Sequence, residues 1–296
     1  MNNSLIILIV LVLICLSLYF MYNIVLYTNA STIESFVNTE FVNSEKIYDK
    51  FYCDIYDQLF YSDLKVKTEV LDLETNFLNK TLGATILDIG CGTGHHLNKL
   101  SEKYKVTGLD KSNEMLKISK RRNPKVRLVL GDANNKNIFS AKSFNVITCF
   151  YFTIYYFKDI NKFISNVHYW LKPKGIFCVS LVNKDKFDPL LELGTPFSAF
   201  SLQKYSKKRL TKTVIHFNNF VYKGTFIKED KNNFKFEEIF EFKKKSKIRK
   251  QSHTLYMIKI VQFIEIMSDH GFKQVGQTDL LNCGFEYQYN FYFKKK

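Results

Sequence analysis

The sequence predicts an α/β fold, in which a mainly parallel β-sheet is covered by helices on both faces. Three observations predict this class. Between residues 85 and 182, short apolar runs alternate with segments of helical periodicity. A glycine-rich loop joins the first apolar run to the first helical segment. Acidic residues stand at the ends of the following runs, where parallel sheets bind their ligands.

The first strand ends in residues 88–94, which read Asp-Ile-Gly-Cys-Gly-Thr-Gly. Glycine at every second position lets the backbone take unusual φ values and approach a ligand closely, because no Cβ intervenes. A dinucleotide-binding loop would need its third glycine at position 95, which is His95. The spacing therefore argues against a bound dinucleotide.

The remaining elements of the alternation keep the same order. After a helix over 97–103, they are strand 106–109, helix 112–122, strand 126–130, strand 144–150, helix 160–171 and strand 176–182. The second strand ends in Asp110, roughly 20 residues past the loop, where an acid is placed to accept hydrogen bonds from both hydroxyls of a ribose.

The region after the fifth strand has a different period. Apolar and polar residues alternate in 214–217, 220–227 and 234–242, with Asn- and Asp-rich turns between them, which predicts an antiparallel β-meander. An amphipathic helix over 257–270 and two last strands, 272–278 and 284–293, follow it.

The Asp-x-Gly-x-Gly-x-Gly motif of residues 88–94, followed by acids at the next strand ends, resembles the first motifs of class I S-adenosylmethionine (SAM) methyltransferases. The resemblance implies a Rossmann-like seven-stranded sheet with helices on both faces and an antiparallel last strand. The inserted antiparallel β-meander makes the chain similar to small-molecule N-methyltransferases, notably the sugar-amine N,N-dimethyltransferases. SAM is the implied cofactor.

The resemblance also implies roles for particular residues. The glycine loop would hold the methionine moiety of SAM, Asp110 the ribose, and Asp132 with Ala133 the adenine. A Tyr- and Asp-rich segment before the sheet would fold over SAM as a lid, or would simply pack its rings on the sheet. The expected cofactor-binding residues are Tyr48, Tyr56, Asp88, Gly90, Cys91, Gly92, Gly94, Asp110, Lys111, Met115, Asp132, Ala133 and Phe150.

Methyl transfer requires few catalytic side chains, because the methyl carbon on the sulfonium is already electrophilic. The protein aligns the nucleophile with the methyl group and excludes water. An oxygen nucleophile would also need a base, and the candidates are Tyr155, Tyr156 and His216. Many members of the family carry two histidines where Tyr155 and Tyr156 stand, so a histidine base is not expected there. No metal site is expected.

The N-terminal residues 5–27 are almost entirely apolar, and no charged residue precedes Glu34. A run of about 20 apolar residues is long enough to cross a bilayer as a helix. The segment predicts an N-terminal transmembrane helix and a single-pass membrane location, with the catalytic domain in the cytoplasm because Lys46 and Lys50 follow the span. A secretory signal peptide cleaved after Ala30 is the alternative.

The composition alone does not decide which partners the basic surface binds. The chain of 296 residues has a net charge of +15, and its basic runs suit a solvated surface, contact with anionic lipid, or RNA. Its six cysteines are scattered, which argues against a disulfide framework and favours reduced thiols. The predicted organisation is an anchor at 1–30, a linker with lid helices at 31–80, a SAM-binding core at 81–183, the meander as a substrate lid at 184–255, and completion of the core at 256–296.

The sequence thus predicts a membrane-anchored SAM-dependent methyltransferase that moves a methyl group to a nitrogen or oxygen of a small molecule. Two alternatives remain at this point. One is an RNA methyltransferase that uses the basic insertion, although no aromatic and basic RNA-binding module flanks the core and no nucleic-acid partner is expected. The other is a tethered SAM-binding protein without turnover.

Overall fold

The computed structural model describes residues 12–19, 21, 38–79, 83–194, 203, 206, 208–244 and 246–296. Its strands are β1 (Asn38–Val42), β2 (Thr85–Ile89), β3 (Lys105–Asp110), β4 (Arg127–Leu130), β5 (Phe144–Cys149), β6 (Leu171–Val182), β7 (Lys212–His216), β8 (Phe220–Lys228), β9 (Asn233–Phe242), β10 (Lys247–Tyr256), β11 (Phe272–Asp279) and β12 (Gln288–Lys295). Its longer helices are α1 (Lys50–Phe60), α2 (Asp63–Leu73), α3 (His95–Leu100), α4 (Asn113–Arg122), α5 (Ile160–Trp170) and α6 (Ile260–Asp269).

Seven strands form one sheet in the order β11-β12-β6-β5-β2-β3-β4. The strands from β6 to β4 run parallel to their neighbours, whereas β12 is antiparallel to both β6 and β11. The Rossmann-like seven-stranded sheet and its antiparallel last strand are therefore confirmed. The carboxyl ends of β2, β3, β4 and β5 share one edge, where ligands of such sheets bind.

Helices cover both faces of this sheet because the central strands are apolar on both sides. On one face, α5 buries Phe163, Val167 and Trp170. On the other face, α3 buries Leu97 and Leu100. Burial on both faces explains why the central strands read as continuous apolar runs.

A second sheet has the order β1-β10-β9-β8-β7, with β1 parallel to β10 and the other pairs antiparallel. It contains the three predicted meander strands and two that the sequence pattern did not reveal, β1 and β10. The side chains that β10 buries towards α1 are largely polar, namely Arg249, Gln251 and His253. A strand with a polar buried face lacks the apolar alternation by which strands are recognised.

Helix α1 packs on the second sheet through Tyr52, Ile55 and Leu59, which meet Phe220 and Phe240 in a shared apolar cluster. Asp49 caps the start of α1, since its side chain accepts a hydrogen bond from the backbone N–H of Tyr52 (3.0 Å). The segment predicted as a lid is thus fixed to the second sheet and faces the strand ends of the first.

The expected single-pass membrane location is wrong. In the part of the chain that the structure describes, no helix is long and apolar enough to cross a membrane. Of the predicted span 5–27, residues 12–19 and 21 are described and helical. The rest of that span and Ala30 lie outside the described residues.

Candidate active site

A cavity of about 580 Å³ lies between the strand ends of the seven-stranded sheet, the segment from Tyr48 to α1, and the second sheet. We call its two sides the loop wall and the aromatic wall. The loop wall comprises Gly90, Gly92, Asp110, Lys111, Met115, Asp132 and Ala133. The aromatic wall comprises Tyr48, Tyr52, Tyr56, Tyr156, Phe226, Phe236, His253 and Leu255.

The glycine loop forms the centre of the loop wall. Gly90, Gly92 and Gly94 all have positive φ, at 68°, 52° and 84°. At Gly90 the space is also restricted, because a Cβ there would lie 2.4 Å from Cγ2 of Thr153. The loop therefore requires glycine for its backbone conformation and, at Gly90, for clearance.

Asp110 lies at the end of β3 and faces the cavity beside the loop. Its Oδ2 accepts a hydrogen bond from the backbone N–H of Gly92 (2.8 Å), and its Oδ1 accepts one from the N–H of Ser112 (2.8 Å). Burial raises the pKa of Asp110, and these two hydrogen bonds oppose the rise. Asp110 thus fixes the glycine loop as well as presenting a carboxylate to the cavity.

Asp132 and Ala133 follow β4 and line the same wall. The Asp132 side chain accepts a hydrogen bond from the backbone N–H of Asn134 (2.8 Å), and the buried carbonyl of Ala133 accepts one from Nδ2 of Asn166 (2.8 Å). Helix α5, which carries Asn166, therefore holds this turn in place at the far end of the loop wall.

The other expected cofactor-binding residues divide into two groups. Tyr48, Tyr56, Lys111 and Met115 line the main cavity. Asp88, Cys91 and Phe150 line a smaller pocket that shares Gly90, Gly92 and Tyr56 with the main cavity. Gly94 lines neither cavity, because it packs inside the fold, where a Cβ would lie 2.3 Å from Oγ of Ser119 on α4.

The aromatic wall contains a chain of short hydrogen bonds between side chains that are partly or fully buried. The Tyr48 and Tyr156 hydroxyl oxygens are 2.9 Å apart, and the Tyr156 hydroxyl lies 2.8 Å from Nδ1 of His253. Nε2 of His253 lies 2.7 Å from Oε2 of Glu238. Glu238 and His253 are almost fully buried, at 0% and 3% exposure.

Glu238 receives further hydrogen bonds inside the second sheet. The Tyr222 hydroxyl donates to Oε1 of Glu238 (2.8 Å), and Nε2 of Gln251 donates to Oε2 (2.7 Å). Nε of Arg249 donates to Oε1 of Gln251 (2.8 Å), which fixes the orientation of that amide. The network therefore surrounds Glu238 with donors, as an ionised carboxylate requires.

Asp57 of α1 joins the two walls. It accepts hydrogen bonds from Oγ1 of Thr93 (2.6 Å) and from the guanidinium of Arg122 (2.8 Å), and Nε2 of His95 lies 2.9 Å away. Burial alone would raise the pKa of Asp57, but hydrogen bonds from His95, Thr93 and Arg122 lower it to about 2. His95 therefore contributes to a polar contact between α1 and the glycine loop. Nε2 of His96 lies 2.7 Å from Oε2 of Glu69.

The three candidate bases have different surroundings. Tyr156 lines the cavity. Tyr155 does not, because its ring is buried and its hydroxyl accepts a hydrogen bond from the N–H of Val182 (2.7 Å). His216 lies on the exposed face of β7 and outside the cavity lining, because Thr213 and Ile215 take the buried positions of that strand. The structure instead brings His253 to the cavity, a histidine that sequence analysis missed.

The size of the cavity and the residues of the loop wall fit SAM. A cavity of about 580 Å³ falls within the range of roughly 300–1,000 Å³ that is usual for ligand sites. Bare backbone at Gly90 and Gly92 suits an extended ligand lying on the loop. The carboxylates of Asp110 and Asp132 suit the hydroxyl and amino groups of an adenosine.

Comparisons with known proteins agree with this fit. Residues 86–175 match the family described as "Methyltransferase domain". The chain is 32% identical over 148 residues to a dTDP-4-amino-2,3,4,6-tetradeoxy-D-glucose N,N-dimethyltransferase of Saccharopolyspora spinosa, over 47% of this chain and 58% of the relative. It is 39% identical over 72 residues to a dTDP-3-amino-3,6-dideoxy-alpha-D-glucopyranose N,N-dimethyltransferase of Streptomyces fradiae, over 24% of this chain and 28% of the relative. Each match thus spans less than two thirds of the relative.

Solved structures share the fold over most of the chain. An S-adenosylmethionine-dependent methyltransferase from Clostridium acetobutylicum aligns with a TM-score of 0.62 and 20% identity, over 83% of this chain and 98% of that one. A SAM-bound amino pentose methyltransferase from Micromonospora echinaspora aligns with a TM-score of 0.59 and 17% identity, over 84% and 98% of the two chains. These structures thus show a shared fold, and the match over residues 86–175 shows a methyltransferase domain within it.

Proposed function

We propose that this protein transfers the methyl group of SAM to the amine nitrogen of a small molecule, and that an amino sugar is the acceptor class to test first. The observation that carries the proposal is the pairing of the two walls across one cavity. The loop wall offers backbone and carboxylates to the cofactor, and the aromatic wall lies opposite with polar atoms buried among rings.

Within this proposal, the residues of the loop wall hold the cofactor. Gly90 and Gly92 contact the methionine moiety, Asp110 accepts hydrogen bonds from the ribose, and Asp132 with Ala133 contacts the adenine. SAM supplies an electrophilic methyl group when it is bound. The protein's own contribution is to orient the acceptor nitrogen towards that methyl group and to exclude water from it.

The size and chemistry of the cavity support a small acceptor. About 580 Å³ leaves room for a small molecule beside the cofactor, but not for a folded polymer. The aromatic wall is made of tyrosine, phenylalanine, leucine and histidine. Recognition of an RNA backbone instead depends on lysine and arginine side chains that neutralise phosphates. The wall therefore favours a small-molecule acceptor over RNA.

The second sheet serves as the substrate lid in this proposal. Phe226, Phe236, His253 and Leu255 come from β8, β9 and β10 and close the cavity on the acceptor side. The names of the two matched relatives support nitrogen as the nucleophile, since both are N,N-dimethyltransferases of amino sugars linked to dTDP.

The test is methylation by the purified full-length protein. The protein is incubated with SAM and dTDP-4-amino-2,3,4,6-tetradeoxy-D-glucose, and mass spectrometry follows the gain of one or two methyl groups. The matched control is the same sugar nucleotide with a hydroxyl in place of the amine. We expect methylation of the amine only. Binding of SAM without methylation of any amine in a panel of amino sugars would contradict the proposal and favour a SAM-binding protein without turnover.

A further inference from the structure

We propose that Glu238, His253, Tyr156 and Tyr48 form a proton relay that removes the proton of the acceptor nucleophile, with Nδ1 of His253 as the receiving base. The inference rests on the proposed methyl transfer, and it adds the residues that handle the proton. Three consecutive contacts of 2.7–2.9 Å connect the four side chains, and Tyr48, Tyr156 and His253 line the cavity.

The hydrogen bonds around Glu238 determine which nitrogen of His253 carries the proton. Gln251 is oriented by Arg249, so its amide nitrogen must donate to Glu238, as the Tyr222 hydroxyl also does. An ionised carboxylate has only acceptors. Nε2 of His253 must therefore be the donor in its contact with Glu238. In the neutral ring, Nδ1 is then an acceptor and points to the Tyr156 hydroxyl.

The tautomer of His253 gives the relay a direction. The Tyr156 hydroxyl donates its proton to Nδ1 of His253, so its lone pairs remain to accept a hydrogen bond from Tyr48. The Tyr48 hydroxyl then presents its remaining lone pair to the cavity. Burial raises the pKa of both tyrosines, so each stays protonated and passes a proton on. An N–H of the acceptor is the donor that would complete the chain.

The nitrogen lone pair forms a bond to the methyl carbon, and the C–S bond breaks with its electron pair going to sulfur, which gives neutral S-adenosylhomocysteine. The N–H proton moves to the Tyr48 oxygen while Tyr48 passes its own proton to Tyr156, and Tyr156 passes one to Nδ1 of His253. The positive charge ends on an imidazolium paired with Glu238.

The charges around His253 suit this role. Glu238 on β9 is the anion in contact, and Tyr222 on β8 donates to the same carboxylate. The hydroxyl of Tyr52 on α1 lies 3.3 Å from Nε2 of His253. Arg249, which is on the same strand as His253, forms an ion pair with Asp49. Lys111 lies 5.9 Å from the centre of the Tyr156 ring, and Asp110 and Tyr56 lie near Tyr48. Glu238 thus faces the imidazole directly, whereas the lysine faces the phenol.

The first experiment needs no turnover. Nuclear magnetic resonance of the full chain, labelled with ¹⁵N-histidine and bound to S-adenosylhomocysteine, reports the protonation of each ring nitrogen. The His253 signals are those lost from the spectrum in His253→Gln, among the six histidines. We expect the proton of the neutral ring to lie on Nε2, and a change of this pattern in Glu238→Gln. A proton on Nδ1 of the neutral ring would overturn the relay.

The second experiment measures the pH dependence of kcat for the amino sugar that the protein methylates. General-base catalysis contributes about 10²-fold or more, so Tyr156→Phe and Tyr48→Phe should each lower kcat by about that factor, and Tyr156→Phe should leave SAM affinity unchanged. The low-pH inflection of the wild-type profile should disappear in Tyr156→Phe. Tyr169→Phe, on α5 outside the cavity lining, is the matched control and should keep the wild-type profile.

The outcomes separate the relay from the proposed function. If the wild type methylates no amine, the proposed function fails, and the spectrum of His253 still tests the arrangement of the relay. If the wild type is active and Tyr156→Phe keeps both its kcat and its inflection, the relay is overturned while methyl transfer stands. A lower kcat with an unchanged inflection would mean that Tyr156 only shapes the wall, which also overturns it.

Discussion

The two walls of the cavity present different kinds of atoms. The loop wall is built from turns that follow β2, β3 and β4, and it presents backbone at the glycines and carboxylates at the strand ends. The aromatic wall presents side chains that project from α1, from the turn after β5, and from β8 to β10. A backbone surface is determined by φ and by clearance, whereas a side-chain surface changes with each substitution.

This difference separates the parameters that each wall controls. Substitutions in the loop wall should alter the affinity for SAM, since we propose that this wall holds the cofactor. Substitutions of Tyr156 and His253 in the aromatic wall should alter turnover while SAM affinity stays unchanged. Asp57 connects the two, because it lies on α1 and accepts hydrogen bonds from Thr93 of the glycine loop and from Arg122 of α4.

The largest effect is expected for Asp110→Ala in the loop wall. Charge-assisted hydrogen bonds to the two ribose hydroxyls contribute about 1.5–3 kcal/mol each, and their partial loss should weaken SAM binding by about 10- to 100-fold. The melting temperature should also fall, because the N–H groups of Gly92 and Ser112 lose their acceptor. Calorimetric titration with SAM, alongside thermal unfolding of the protein without ligand, measures both effects.

The control for this variant is Asp159→Ala. Asp159 caps α5 through the N–H of Lys162 (3.0 Å) and does not line the cavity, so its loss should cost stability without weakening SAM binding. Equal SAM affinity in Asp110→Ala and the wild type would show that the strand-end acid does not hold the ribose. Weaker SAM binding in Asp159→Ala would show that general destabilisation explains the result.

The loop wall could be predicted because its determinants are close together in the sequence. Gly90, Gly92 and Asp110 lie within one strand–helix–strand unit, and the strand order places them at one edge. The turn at Asp132 follows from the same alternation. Gly94 was assigned to the cofactor by its place in the motif, but whether a glycine faces the ligand or the neighbouring helix depends on packing that the spacing does not reveal.

The aromatic wall could not be predicted in the same way. Tyr48 and Tyr156 are 108 residues apart, and Tyr156 and His253 are 97 residues apart. Their meeting depends on how the second sheet packs on α1. A one-residue change of strand register moves every side chain to the opposite face, so the sequence could not decide that His216 faces outwards and His253 inwards. The polar residues buried on β10 also concealed that strand.

The second prediction concerns Asp57, which connects the two walls. The pKa of Asp57 is about 2, below the ordinary value of 3.8, so its ionised form stabilises the fold above about pH 4. That contribution is lost as the pH falls towards 2. Asp57→Asn should lower the free energy of unfolding at pH 7 by up to about 2 kcal/mol, since one pKa unit corresponds to about 1.4 kcal/mol and solvent screens part of it.

Urea unfolding at pH 7 and pH 3 measures the effect of Asp57→Asn. Asp54→Asn is the matched control, because Asp54 lies on the same helix in an exposed ion pair with Lys50 and should contribute almost nothing. We expect the difference between Asp57→Asn and the wild type to shrink at pH 3. A constant difference at both pH values would show that the charge of Asp57 does not connect α1 to the loop.

The smallest effect is expected at Asp88, whose carboxyl lies beneath the glycine loop. Burial raises the pKa of Asp88 to about 6, although the charge of His96 and a hydrogen bond from Thr148 (2.7 Å) oppose the rise. The methionine moiety of SAM brings a sulfonium, an ammonium and a carboxylate group to this loop, and their net positive charge favours the ionised form of Asp88. SAM binding near pH 6 should therefore release a proton, and affinity should increase as the pH rises through 6, by less than about tenfold because a shift of one pKa unit is worth about 1.4 kcal/mol.

Calorimetric titration in buffers of different ionisation enthalpy detects this proton. Asp88→Asn keeps an acceptor for Thr148 but has no proton to release, so its binding enthalpy should not depend on the buffer. If the wild type behaves like Asp88→Asn, the acid beneath the loop does not sense the charge of the cofactor, and the loop wall then acts on SAM through its backbone, Asp110 and Asp132.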